Sequence, residues 1–311
     1  MDIALWGWAA VTGLIVAALL LDLLVFHREA HEISMREAAI SSAMWITLGL
    51  AFGLVIWGIG GADHAGEYYA GYLIEKSLSV DNIFVFALLF AYFGVPGAFQ
   101  HRLLFWGVLG ALVFRALFIA AGAALLENFH WVIYVFGAFL VYTGIKMATH
   151  GETEVHPERN PVLKVLRRVM PVTNEYHGTR FFLRQAGRTV ATPLFAVLVA
   201  VETTDILFAV DSIPAIFAVT DDTFLVFTSN AFAILGLRAL YFLLAGMMNR
   251  FVYLKFGLSA ILVFVGVKML IVDLWHVPTA VSLGVIAAVL AISIVFSMRA
   301  TATNPTEEVI L

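Results

Sequence analysis

Apolar residues fall along this chain in long runs separated by short polar connections. A helix needs about 20 apolar residues to cross the hydrocarbon core of a bilayer. The runs predict nine such segments: Leu5–Phe26, Ala38–Gly60, Tyr69–Phe93, Leu103–Leu126, Phe129–Thr149, Ala191–Val219, Phe224–Met247, Phe251–Val272 and Thr279–Met298. The first has no basic residue ahead of it, carries Asp22 and is long enough to span, so it is read as a helix rather than a signal peptide. The 150–190 loop is the one sizeable hydrophilic piece. Inside it, NPVLKVLRRVMPVT predicts a short interfacial helix with Val162, Leu163, Leu166, Val169 and Met170 against lipid.

Composition agrees with the pattern. The 311 residues are 62% hydrophobic and 13% charged, whereas a soluble domain sits nearer half and a quarter. The expected fold is an all-α polytopic membrane protein, a single transmembrane domain over 1–311 with no nucleic-acid partner and no enzymatic chemistry. The absence of cysteine excludes disulfides, thiol redox chemistry, iron–sulfur clusters and cysteine-ligated zinc. With the N-terminus outside, the inner connections hold Arg28, Arg36, Arg102, the 150–190 loop, Arg250, Lys255 and Arg299. The outer ones hold Asp63, Glu67, Glu127, Asp221, Asp222 and Asp273, and no lysine or arginine. The positive-inside rule therefore predicts N-out, C-in. The loop itself carries Arg159, Lys164, Arg167, Arg168, Arg180, Arg184 and Arg188. It is read as a topology-fixing cytoplasmic loop that touches anionic headgroups. The alternative is a handle for a secretion-machinery or membrane-protein partner.

Three stretches recur in order. EKSLSVDNI (Glu75–Ile83) matches DILFAVDSI (Asp205–Ile213). LGALVFRALF around Arg115 matches ILGLRALYF around Arg238. GAFLVYTGIKM (Gly137–Met147) matches SAILVFVGVKM (Ser259–Met269). Each unit spans three helices, 69–149 and 191–272, with 279–298 as a final helix. An odd number of crossings inverts the second unit, a plan found in secondary transporters, whose sites lie near the midplane.

Carboxylates in hydrocarbon cost about 2.5–3.5 kcal/mol each on insertion scales and mark function. The apolar segments hold Asp22, Glu75, Asp81, Glu202, Asp205 and Asp211 against two deep bases, Arg115 and Arg238. Lys76, Lys146 and Lys268 lie nearer helix ends and are expected to snorkel. A cation, or protons, would complete the balance. Glu75, Ser79 and Asn82 share one helical face. Pro214 lacks an amide hydrogen and predicts a break that turns Asp211 toward a ligand. Carboxylates, Asn82, Ser212 and freed carbonyls are hard oxygen donors suited to Mn²⁺, Ca²⁺ or Mg²⁺. The nine histidines lie in loops or near helix ends, which argues against a histidine-based zinc or copper pathway. The competing reading is that the acids are salt-bridged to Arg115 and Arg238 and lock the bundle. Asn230 is a candidate ligand or interhelical hydrogen bonder, and Asp22 an accessory or structural group.

EKSLSVDNIFVF, PVTNEYHGTRFF, TPLFAVLVAVETTDILFAVDSIPAIFAVT and FTSNAFAILGLRALYFLL resemble the TerC family of bacterial membrane proteins, above all its Alx-type branch. The likeness runs from about Leu5 to Met298. It implies a multi-pass protein of the bacterial inner membrane acting in manganese homeostasis, chiefly Mn²⁺ efflux. Some members are linked to tellurium resistance or to loading metal into exported proteins. The family's motif acids map onto Glu75, Asp81, Glu202, Asp205 and Asp211. The expected site joins Asp81 and Asp211 with Glu75, Asp205, Asn82 and Ser212, with Glu202 at one gate and Arg115 and Arg238 balancing the empty site. Proton exchange would drive efflux, with no tightly bound cofactor. A redox modulator, a label used in this branch, fits poorly with a chain lacking cysteine. A membrane protein that assists secretion or metal loading is the other alternative.

Overall fold

The computed structural model describes residues 3–21, 34–149, 161–173, 175–185, 188–245, 253–275 and 277–303. In order they form α1 (Leu5–Leu21), α2 (Met35–Tyr92), α3 (Gly97–Asn128), α4 (Val132–Thr149), α5 (Pro161–Val169), β1 (Phe182–Gln185), β2 (Arg188–Ala191), α6 (Pro193–Phe217), α7 (Thr223–Ile234), α8 (Leu237–Ala245), α9 (Leu254–Leu270) and α10 (Thr279–Thr303). Among the described residues, five helices are long and apolar enough to cross a membrane, or six if the bent pair α7–α8 is one span.

The second and third predicted segments are fused in α2, because the polar link between them is itself helical. The fusion is not a straight rod. Gly61 interrupts it at φ 83°, a conformation that a residue without Cβ adopts at little cost. Beyond it, the Tyr68 and Tyr69 hydroxyls donate to the carbonyls of Gly49 and Leu50, each at 2.8 Å and 19 residues back. In a straight helix those residues would be about 28 Å apart, at a rise of roughly 1.5 Å per residue. The chain therefore doubles back at Gly61 into two antiparallel arms.

The same economy of small residues joins α4 to α9. A Cβ on Gly137 would sit 2.9 Å from the Gly266 carbonyl oxygen, and one on Gly266 would sit 2.7 Å from that of Gly137. One end along, Ser259 Oγ donates to the Gly144 carbonyl at 2.6 Å. Small side chains let the backbones approach this closely. The contact order is antiparallel. His130 Nε2, in the turn before α4, lies 3.4 Å from Asp273 just beyond α9.

Three expectations change. First, Pro214 does not break α6, which runs on to Phe217. So near the helix end the proline removes one internal bond, that of the Val210 carbonyl, and the Ala218 amide closes the last turn on the Pro214 carbonyl at 3.0 Å. Second, the seventh predicted segment is discontinuous. It splits at Leu235–Gly236 with a 42° bend, where Gly236 has φ 86° and the Trp45 side chain packs against it. Third, the fold is not purely α. β1 and β2 pair antiparallel, and Val172 bridges Ala191 at the base of the hairpin.

The expected interfacial helix is present as α5, but Leu163 turns into the protein core instead of toward lipid. The segment after it is tied to the bundle. Tyr176 donates to the Phe93 carbonyl at 2.8 Å, Arg102 to Thr179 at 3.0 Å, and the Arg102 guanidinium stacks over Phe181.

Candidate functional site

The second arm of α2 carries Glu75, Ser79 and Asn82 inward on one face. Helix α3 supplies Arg115, α6 supplies Asp205, Asp211 and Ser212, α7 supplies Asn230, and α4 supplies Thr143. Arg115 is fully buried and organises this group. Its Nη1 pairs with Glu75. Its Nη2 and Nε donate to the two oxygens of Asp205 at 3.2 and 3.4 Å. Nη1 also reaches Ser212 Oγ at 3.1 Å and Asn230 Oδ1 at 3.5 Å. Asn230 Nδ2 in turn donates to Glu75 Oε2 at 3.1 Å, and Ser79 Oγ approaches Oε1 at 3.5 Å. Glu75 and Asp205 are the matched first acids of the two repeats, and one guanidinium holds both. The planar fork of arginine suits this bidentate sharing in a way that an ammonium does not.

Beside the fork lies a cavity of about 50 Å³ whose wall is mostly apolar, from Leu78, Met147, Phe208 and Leu262, with Asn82, Asp211, Ser212 and Arg115 also lining it. A water needs about 10–15 Å³ of such volume, so the space admits a small cation with part of its hydration shell. Asp211 accepts from Thr143 Oγ at 3.3 Å. Asn82 is buried, and its Oδ1 has no hydrogen-bond partner. A buried carbonyl oxygen left unsatisfied is costly and marks where a ligand or water belongs.

The predicted residues thus separate into groups. Glu75, Asp205 and Asn230 build the fork. Asn82 and Asp211 face the cavity, and Ser212 and Arg115 touch both. Glu202, one turn before Asp205, packs its carboxylate over Gly110 of α3 outside the cavity, with Oε2 buried and unpartnered. Arg238 is buried on α8, whereas the acids of the fork are balanced by Arg115. Asp81 lies in α2, with its side chain outside the described residues, and Asp22 is outside them altogether. Among the described residues no three histidine or acidic side chains converge on one point; Glu75 and Asp205 are taken up by Arg115.

Two residues escaped the sequence reading. Thr143 had a signal: it is polar where its repeat match, Val265, is apolar. Lys76 was expected to snorkel, yet its ammonium turns inward and donates to the Ala233 carbonyl at 3.0 Å. The break after Ile234 leaves carbonyls of the last turn of α7 without helical donors, and a cation there also meets the negative end of the helix dipole.

The model of the family described as "Integral membrane protein TerC family" matches residues 60–305. The chain belongs to the TerC family. This TerC protein is 52% identical over 301 residues to an uncharacterized membrane protein, STKORF319, of Myxococcus xanthus, covering 97% of this chain and 94% of that one. It is 50% identical over 301 residues to a protein of Escherichia coli K12 that bears the provisional name membrane-bound redox modulator Alx, covering 94% of each. An Alx protein of Salmonella typhi under the same provisional name is 51% identical over 302 residues, covering 94% of this chain and 93% of the other. No solved structure matches the TerC chain. It is an integral membrane protein of a bacterial family.

Proposed function

We propose that this TerC protein carries a hard divalent cation, Mn²⁺ foremost, out across the bacterial inner membrane, and that it is a transporter rather than an enzyme. The observation that supports this reading is the cavity. Asp211 and Asn82 both line it inside a helical bundle, the Asn82 oxygen is buried without a partner, and carboxylate and amide oxygens are the donors that Mn²⁺, Ca²⁺ and Mg²⁺ accept. Asp81, matched to Asp211 by the repeat, would complete the donor set. Protons arriving on Asp211 would displace the cation and couple efflux to the inward proton gradient, with Glu202 as a gate outside the cavity. The Arg115 fork would hold the neighbouring acids balanced while the cavity empties and fills.

The same reading infers an inverted repeat of three helices each, N-out and C-in. Gly137 matches Ser259 and Gly144 matches Gly266. The Gly137–Gly266 and Gly144–Ser259 contacts are therefore one contact with the units exchanged. Nine crossings belong to the same proposal: they would require the two arms of α2 to cross separately, α7–α8 to cross as one, and the 17-residue α1 and α9 to cross as well.

The test is Mn²⁺ flux in proteoliposomes, with and without a pH gradient, against competing Ca²⁺, Mg²⁺ and Zn²⁺. Asp211→Asn is expected to lose flux at least about tenfold while Mn²⁺ outcompetes Zn²⁺. Wild-type flux from Asp211→Asn would remove the site assignment. A second reading draws on the basic segment docked on the bundle through Tyr176 and Arg102: a membrane protein assisting metal loading of exported partners. Disrupting that segment would then abolish the cellular phenotype and leave liposome flux intact. The redox role in the relatives' names would require a non-thiol centre here, because the chain has no cysteine.

A further inference from the structure

We infer that α5 and the β1–β2 hairpin form a docking surface for anionic phospholipid headgroups. Helix α5 has three sectors. Leu163 is buried against the core, with Leu166 packed beside it. Val162, Val165 and Val169 are exposed at 42%, 55% and 78%. Lys164 and Arg168 are also exposed. At about 100° per residue, the exposed valines form one stripe. The inward leucines lie on one side of it and the two bases on the other. That order suits a helix lying along a bilayer: one edge anchored in protein, an apolar stripe dipping into the acyl boundary, and cations at headgroup level.

The hairpin continues the surface. Val172, three residues beyond α5, bridges Ala191 at its base. Phe182 and Arg184 lie two apart on β1, hence on the same face, and both are exposed. Helix α5 and strand β1 together expose these four apolar side chains and three bases. Charge selects the occupant. A water-facing layer would leave four apolar side chains hydrated, and a neutral lipid surface would leave the bases unpaired. Phosphate-bearing anionic lipid satisfies both. This inference needs only that the chain is an integral membrane protein, and it stands or falls apart from the identity of any transported ion.

The chain has no native cysteine, so Val169→Cys takes a single fluorophore at a site 78% exposed. The full protein, labelled there and placed in nanodiscs, is quenched by lipids carrying a nitroxide near the headgroup, either phosphatidylglycerol or phosphatidylcholine. The expected result is quenching by both, with the anionic lipid favoured at least about fivefold, the effect of a single well-placed basic side chain. The preference should fall toward unity in Lys164→Gln/Arg168→Gln/Arg184→Gln and in high salt. Equal quenching by the two headgroups in the parent protein overturns the inference. So does quenching by aqueous iodide with none from lipid. So does energy transfer between labelled copies in place of lipid quenching, which would make the surface a contact between two chains.

Discussion

At the residue scale, the two aspartates of α6 do different work. Asp205 is held by a buried guanidinium, whereas Asp211 faces a cavity and leans on one threonine. Removing one partner of a buried ion pair strands the other, at a cost of about 3–5 kcal/mol. Arg115→Met strands both Glu75 and Asp205. Its thermal midpoint in detergent should fall sharply, and Glu75→Gln/Asp205→Asn should restore much of the loss. Asp211→Asn keeps the acceptor for Thr143, so its stability should stay within about 1 kcal/mol of the parent, the scale of one hydrogen bond. A drop in its midpoint as large as that of Arg115→Met would mean Asp211 is structural. The acids themselves were legible in the sequence from their depth in apolar runs. Their division was not, because Arg115 reaches Glu75 and Asp205 across 40 and 90 residues of chain, and no local pattern records which acid a distant arginine selects.

At the scale of elements, the strongest helix breaker in the sequence was the wrong guide. Proline costs a helix dearly in its interior, but Pro214 sits in a last turn that has little left to lose. The break falls instead at Gly236, inside an apolar Leu-Gly-Leu that reads as continuous helix. Its cause is tertiary: Trp45 occupies the space where a Cβ would stand, and the backbone is left-handed. Gly236→Ala should therefore cost about 1–2 kcal/mol for the dihedral and more for the clash, read as a lowered midpoint. A second element-level test uses the segment docked on the α2–α3 turn. Burial raises the Tyr176 hydroxyl above its ordinary 10.0, so the folded, docked state prefers it protonated. Docking is fully present below about pH 10 and weakens as pH rises toward the raised value. Hydrogen exchange of residues 175–185 should accelerate above that pH in the parent. In Tyr176→Phe, which lacks the bond to Phe93 at every pH, only the base-catalysed rise common to all amides should remain.

At the scale of the whole molecule, the α4–α9 seam sets Gly137 against Gly266 and Gly144 against Ser259, the pairing that the proposed repeat would require. Position one of each unit touches position eight of the other, and both contacts are closed by backbone or a single hydroxyl. Such a seam tolerates no added side chain, because overpacking costs about 1–3 kcal/mol where neighbours cannot move. At Gly137 the obstacles are the Gly266 carbonyl and Met269 Cβ, both at 2.9 Å; at Gly266 they include the Gly137 carbonyl at 2.7 Å. Gly137→Val and Gly266→Val should each lower the thermal midpoint by similar amounts. Their combination should fall short of the sum, since the first substitution has already pushed the helices apart at the contact the second would crowd. Gly58→Val is the control, because a Cβ there meets nothing within 4 Å. Full additivity of the pair would mean that the two glycines do not share a contact, and the seam on which the exchange of units rests would be lost.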